Sequence, residues 1–175
     1  QGKFITYTEE YYRKKSAKWQ TSASVSEYLA KSVASLKMEK KLAEKHLHAE
    51  STKDKLIHAC EQMILVGPDE CYLNFILKSD TGVGYMLVND QFDDLRNMHY
   101  VLSGNIGKQQ PMADAMRDHI ASKGFDIITK RAQQVKKAFS NKKQDEYKIS
   151  DTFINELLDL YRKYDTLIKN EFNKD

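Results

Sequence analysis

Cysteine, proline and glycine are all scarce in this sequence. There are two cysteines, two prolines and seven glycines in 175 residues. Two thiols, Cys60 and Cys71, are too few for a disulfide framework. Both lie in or beside apolar stretches, where a reduced thiol packs as a small hydrophobe. A reducing compartment, cytoplasm or nucleus, is the expected setting. No apolar run exceeds a few residues, so no segment is long enough to span a membrane. No CxxC or HExxH motif is present, which removes the usual signatures of a zinc site. The chain opens on Gln1-Gly2 without a methionine or a signal-peptide pattern, and this reads as part of a longer protein.

The composition that remains is that of a folded, highly charged chain, with 41% hydrophobic and 30% charged residues. A chain of this length can bury about 70% of the surface its unfolded form exposes, enough for one domain with a true core. Net charge is only +3. Residues 128–148, "ITKRAQQVKKAFSNKKQDEYK", nevertheless carry seven Lys or Arg against Asp145 and Glu146.

All the glycines and prolines fall between segments with helical spacing, and no segment reads as a strand. A first helix is expected over about 4–19. Ser24 and Glu27 stand in capping-box spacing before a long stripe of Val25, Tyr28, Leu29, Val33, Leu36, Ala43 and Leu47. Ser51 and Asp54 repeat the start signal for a helix carrying Leu56, Ile57, Cys60, Met63 and Ile64, stopped at Gly67-Pro68. A short helix over 70–78 precedes a turn at Gly82 and Gly84. Asn89 or Asp90 then caps a helix with Val88, Phe92, Leu95, Met98 and Leu102 on its buried side, ended by Gly104 and Gly107. Pro111 opens a helix running to Gly124, another covers 125–139, and "SNKKQDEYK" forms a loop. The last helix, 151–172, presents Ile154, Leu157, Leu158, Tyr161, Tyr164, Ile168 and Phe172. The fold class is therefore all-α, a bundle of long antiparallel helices.

Candidate chemistry is thin. Asp93, Asp94 and Arg96 crowd one stretch with His99, but neighbouring helical positions point about 100° apart and cannot converge on one atom. Carboxylates in a first turn are also stabilised by the helix dipole. His46, His48, His58, Cys60 and Cys71 lack the i, i+4 spacing of helical metal ligands. Asp80-Thr81-Gly82 matches an aspartic-protease triplet, yet no second such loop exists, and GVG lacks a third glycine, so the stretch reads as a turn. No catalytic, cofactor or metal residue is expected. The basic segment 128–148 could meet a polyanion, although such runs are more often solvated helix faces. The ten tyrosines, Tyr11, Tyr12, Tyr28, Tyr161 and Tyr164 among them, sit mostly at helical spacing, as packed helix edges do.

Several stretches, taken together, resemble the helical amino-terminal region of cullins, the scaffold subunits of multi-subunit ubiquitin ligases. "TYTEEYYRKKSAKWQTSASVSEYL" is similar to that family's tyrosine-bearing helix, serine-rich break and S-x-x-E-Y-L start, through Tyr11, Tyr12, Ser16, Ser26, Glu27, Tyr28 and Leu29. "HLHAESTKDKLIHACEQMIL" resembles Y-L-H-P-S-T…K-L…C-E…L-I. "DDLRNMHYVLSG" resembles D-L-x-R-M-Y-x-L-x-S-R through Asp94, Leu95, Met98, Leu102 and Ser103. The most specific match is "LLDLYRKYDTLIKNEFNKD" with L-L-D-x-x-x-K-Y-x-x-L…F-N-x-D, through Leu157, Leu158, Asp159, Lys163, Tyr164, Leu167, Phe172, Asn173 and Asp175. The sequence departs from the pattern at His46 and His99, where tyrosine is usual, at Ala49-Glu50 in place of proline, and at Gly104 in place of arginine.

The resemblance implies a stalk of stacked five-helix repeats. It implies residues 1–23 as the last helix of a preceding repeat and 24–175 as one repeat extending into the following helix. It further implies a non-enzymatic rigid scaffold that spaces the substrate-adaptor end of a ligase from its RING end. The expected partners are proteins of that ligase, bound mainly through regions outside this stretch, with no small molecule, cofactor or nucleic acid. The rival expectation is an exocyst-like tethering subunit whose basic patch meets lipid headgroups or another anionic partner.

Overall fold

The structure, a computed structural model, describes residues 2–47, 49–67, 71–78, 80–104, 107–140 and 146–172. Its chain divides into two compact units, Gln1–Ala113 and Asp114–Asp175. Among the described residues there are helices and no strand.

In the first unit, α1 (Gly2–Ser22) is followed by α2 (Val25–His46). The capping box between them is present in both directions. The Glu27 amide donates to Ser24 Oγ at 3.3 Å, and the Ser24 amide donates to Glu27 Oε2 at 3.4 Å. The apolar stripe of α2 is buried from Val25 through Tyr28, Leu29, Val33 and Leu36 to Ala43. It packs on α3 (Glu50–Glu61) and on α6 (Phe92–Ser103), while α1 lies against α3 and the π-helical segment Gln62–Val66 that continues α3. Helices α4 (Cys71–Lys78) and α5 (Val83–Val88) close the unit. Its centre is formed by Leu29, Leu36, Ile64, Leu65, Leu95 and Leu102, each of which contributes about 1.5–3 kcal/mol by leaving water.

Several boundaries differ from those expected. Helix α3 starts at Glu50, because the amides of Thr52 and Lys53 both bond the Ala49 carbonyl, which places Ser51 inside the first turn rather than at the cap. Gly82 and Gly84 do not form a turn by themselves: Gly82 is the N-cap of α5 and Gly84 lies within it. Asn89 and Asp90 serve the α5–α6 connection, with Asp90 at φ +55, and the cap of α6 is Gln91. A short polar side chain tolerates this left-handed conformation better than most. Val88 therefore belongs to α5 and is exposed, and Phe92 is only half-buried.

The second unit contains most of α7 (Gln110–Ser140), together with α8 (Glu146–Leu167) and the π-helical segment Ile168–Phe172. Helix α7 runs through Gly124 without a break. An isolated glycine costs a helix only about 1 kcal/mol, which a single long packed helix absorbs. Side-chain contacts show α7 and α8 antiparallel: His119 meets Tyr164, Gly124 faces Leu160, and Lys130 pairs with Glu156. Helix α8 begins at Glu146, inside the expected loop, whose residues 141–145 lie outside the described residues. Its expected stripe is only partly covered. Within it Tyr164 is buried, Leu157 and Phe172 are half-buried, and Ile154, Leu158, Tyr161 and Ile168 are exposed; Leu167, outside that stripe, is buried as well.

Candidate functional site

Among the described residues, those singled out in the sequence do not gather into an enzyme-like cluster. Asp93 is exposed and pairs with Arg96 one turn away at 3.2 Å. Asp94 accepts a hydrogen bond from Ser26 Oγ at 2.7 Å, tying the first turn of α6 to the first turn of α2. Both carboxylates occupy the first turn of α6, where the helix dipole favours them. Asp80 and Thr81 form the turn before α5. Cys60 is fully buried, and desolvation pushes its thiol up to about 12, so it packs as an inert neutral group. His46 and His58 are exposed, and among the described residues no three His, Cys, Asp or Glu side chains come together as metal ligands. His48 and the side chain of Cys71 lie outside the described residues. In the basic segment 128–148, Lys130 Nζ donates to Glu156 at 2.9 Å, while the side chains of residues 138–150 lie outside the described set.

What the fold does build is a series of joints between helices. Tyr28 is completely buried on α2, and its hydroxyl donates to the carbonyl of Ile64 in the π-helical segment. Carbonyls near a helix end lack partners within the helix, and this bond supplies a donor to one of them. The Tyr28 ring meets Trp19 of α1 edge-on at 6.1 Å and Phe75 of α4 at 5.7 Å. One side chain thus touches three other elements. Tyr12 on α1 donates to Glu39 Oε1 on α2 at 2.8 Å, and burial is the main reason its phenol is driven far above its ordinary range. Lys15 stands over the rings of Tyr11, Tyr12 and Trp19 at 5.0, 5.3 and 5.1 Å, while its ammonium donates to Ser35 Oγ on α2 at 3.5 Å.

A recess of about 450 Å³ opens between the end of α2, α3 and Gly104. Glu61 lies along it with its side chain only 8% exposed, and the Lys40 ammonium stands 3.9 Å from Oε1. Burial raises the Glu61 carboxyl above its ordinary range, with Lys40 and His58 opposing that rise. Gly104 is the C-cap of α6, and a Cβ placed there would lie 2.3 Å from Glu61 Oε1. Neither Glu61 nor the Ser26–Asp94 link stood out in the sequence. Glu61 did leave a signal, since it falls between Ile57 and Ile64 on the buried face of its helix, where an ionisable group is costly.

Comparison with known proteins agrees with the helical architecture. The family model "Cullin alpha solenoid domain" matches residues 1–175. The chain is 26% identical over 172 residues to Cullin-1 of Dictyostelium discoideum, covering 98% of this chain and 20% of that protein. Against Cullin-2 of Arabidopsis thaliana it is 26% identical over 167 residues, covering 94% and 21%. Against Cullin-1 of Schizosaccharomyces pombe it is 27% identical over 132 residues, covering 75% and 16%. The chain spans about a fifth of the length of such relatives.

Proposed function

The chain belongs to the cullin family, and from that premise we propose that it is a non-catalytic, rigid segment of the scaffold of a cullin–RING ubiquitin ligase. In this reading it sits in the cytoplasm or nucleus and holds the substrate-adaptor end at a set distance from the RING end. Residues 1–23 are the last helix of a preceding repeat, and 24–175 form one repeat that extends into the following helix. Its partners are proteins of the ligase, engaged mainly by other parts of the longer protein.

The observation that carries the reading is the family match over residues 1–175. The joints give it a mechanism. Flexing a close-packed helical layer separates side chains that already touch, and it breaks buried hydrogen bonds such as that from Tyr28 to Ile64. No helix among the described residues is long and apolar enough to cross a membrane.

Tyr161→Pro in the full-length parent, assembled into its ligase, tests the proposal. Tyr161 is exposed within α8, so the substitution acts through the backbone, removing a helix hydrogen bond and kinking α8 at a cost of about 3 kcal/mol or more. Ubiquitin transfer to substrate is expected to fall while adaptor and RING binding persist. A variant that folds and transfers ubiquitin at the parental rate would remove the spacer mechanism.

A further inference from the structure

We propose that the groove between α1 and α2 is a docking site for an acidic amphipathic helix of a partner protein. The two helices run antiparallel, since Tyr12 bonds Glu39, Lys15 bonds Ser35 and Trp19 meets Tyr28. Tyr11, Ala34, Met38 and Leu42 line an open groove of about 420 Å³ between them. Phe4 and Tyr7 extend the line of Tyr11 along α1, standing with it at i, i+3 and i+7. Phe4, Tyr7, Tyr11, Met38 and Leu42 are all exposed, Tyr7 at 70% and Met38 at 56%. The opposite faces of the same helices, with Tyr12, Leu29 and Leu36, are buried in the core. A contiguous apolar strip left open on the outer side and bordered by polar groups marks an interaction surface. Aromatic residues and methionine are enriched at interface centres, and lysine is depleted there, which is the distribution along this strip.

The border sets the charge of the occupant. Lys14, Lys18 and Lys31 stand at one end of the apolar strip, and Lys41 and Lys45 at the other. All of them are exposed, and none has a carboxylate partner among the described residues. The carboxylate within the groove, Glu39, accepts the Tyr12 hydroxyl, while Glu10 and Glu44 lie about 100° or more round their helices from Tyr11 and Met38. Carboxylates of a partner therefore meet unpaired ammonium groups at both ends. A helix suits the groove better than an extended segment, because both walls are helices and offer no free backbone edge for strand addition. Lys31 and Lys45 are separated by about 21 Å of helix axis, so the occupant spans about four turns. Its middle turns are apolar, and Asp or Glu fills its first and last turns. The groove does not depend on the spacer role: it lies in the first unit and Tyr161 in the second, so the two tests fail separately.

Fluorescence anisotropy of a labelled helical peptide of about four turns, titrated with the full-length parent, tests the groove. The peptide carries leucines at i, i+4 and i+7 between paired glutamates at both ends. Binding is expected to saturate, to weaken with added salt and to vanish when lysines replace the glutamates. Met38→Glu, at an exposed position, is expected to weaken binding about tenfold or more. Lys18→Glu combined with Lys31→Glu is expected to lose the glutamate peptide and gain the lysine peptide, an exchange that misfolding would not produce. The proposal is overturned if the parent shows no saturable binding, as when another segment of the longer protein fills the groove. Equal binding of the lysine peptide, or parental affinity in Met38→Glu, overturns it too. Phosphatidylserine vesicles that bind where the peptide does not, and are lost with Met38→Glu, would assign the surface to lipid and end the proposal as well.

Discussion

Tyr28 and Glu61 are two buried polar residues of the first unit with opposite energetics. The Tyr28 hydroxyl is satisfied by the Ile64 carbonyl, so Tyr28→Phe strands a buried acceptor and should cost about 1–3 kcal/mol, read as a lower denaturant midpoint at unchanged slope. Glu61 is the reverse case, because desolvation raises its pKa from an ordinary 4.5. A carboxyl that ionises less readily when folded contributes most below its unfolded pKa, and that contribution is lost as pH rises through the raised folded value. Glu61→Gln should therefore match the parent below about pH 4.5 and be the more stable of the two at pH 7, in paired denaturant curves at both pH values. An advantage for the parent at pH 7 would contradict this. The burial of Tyr28 was legible from its place on a 3.6-residue stripe. Its acceptor, 36 residues away, was not, since periodicity locates a face but not the partner opposite it.

At the scale of the helix, local chemistry was readable where a side chain bonds its own neighbourhood. The Ser24–Glu27 capping box is such a case, while Gly104, with no side chain, was readable as a helix stop and is the C-cap of α6. Readings failed where a residue type has two uses. Asn and Asp fit a helix cap or a left-handed turn equally well: Asn89 caps the end of α5, not the start of α6, and Asp90 takes the left-handed turn at φ +55. Gly67 and Gly124 make the same point with opposite consequences. Gly67 adopts φ +60 at the end of the π-helical segment, and a Cβ there would lie 2.3 Å from the Tyr72 ring. Gly67→Ala should cost about 1–3 kcal/mol. Gly124 sits inside α7, where a Cβ would meet Leu160 at an ordinary 3.9 Å. Gly124→Ala should gain about 0.5–1 kcal/mol by lowering the entropy of the unfolded chain. Thermal melts of the two variants, moving in opposite directions from the parent, check the pair.

At the scale of the whole molecule, the all-α class was legible because helical spacing runs through nearly every segment and the breakers fall mostly between them. The apolar stripe of α8 was legible as a stripe, but its exposure was not. Which apolar residues are covered depends on what packs beside a helix, and sequence spacing says nothing of that. Stiffness is the property on which the scaffold reading depends, and it has a direct observable. Hydrogen exchange of the backbone amides of Leu29, Leu36, Leu65, Leu95 and Met98, measured in increasing denaturant, reports whether the elements of the first unit open singly or together. Interlocked helices predict one shared opening free energy, equal to that of global unfolding and falling with the same denaturant slope. Amides of α2 or α6 that exchange through separate, denaturant-insensitive local openings would contradict a rigid scaffold.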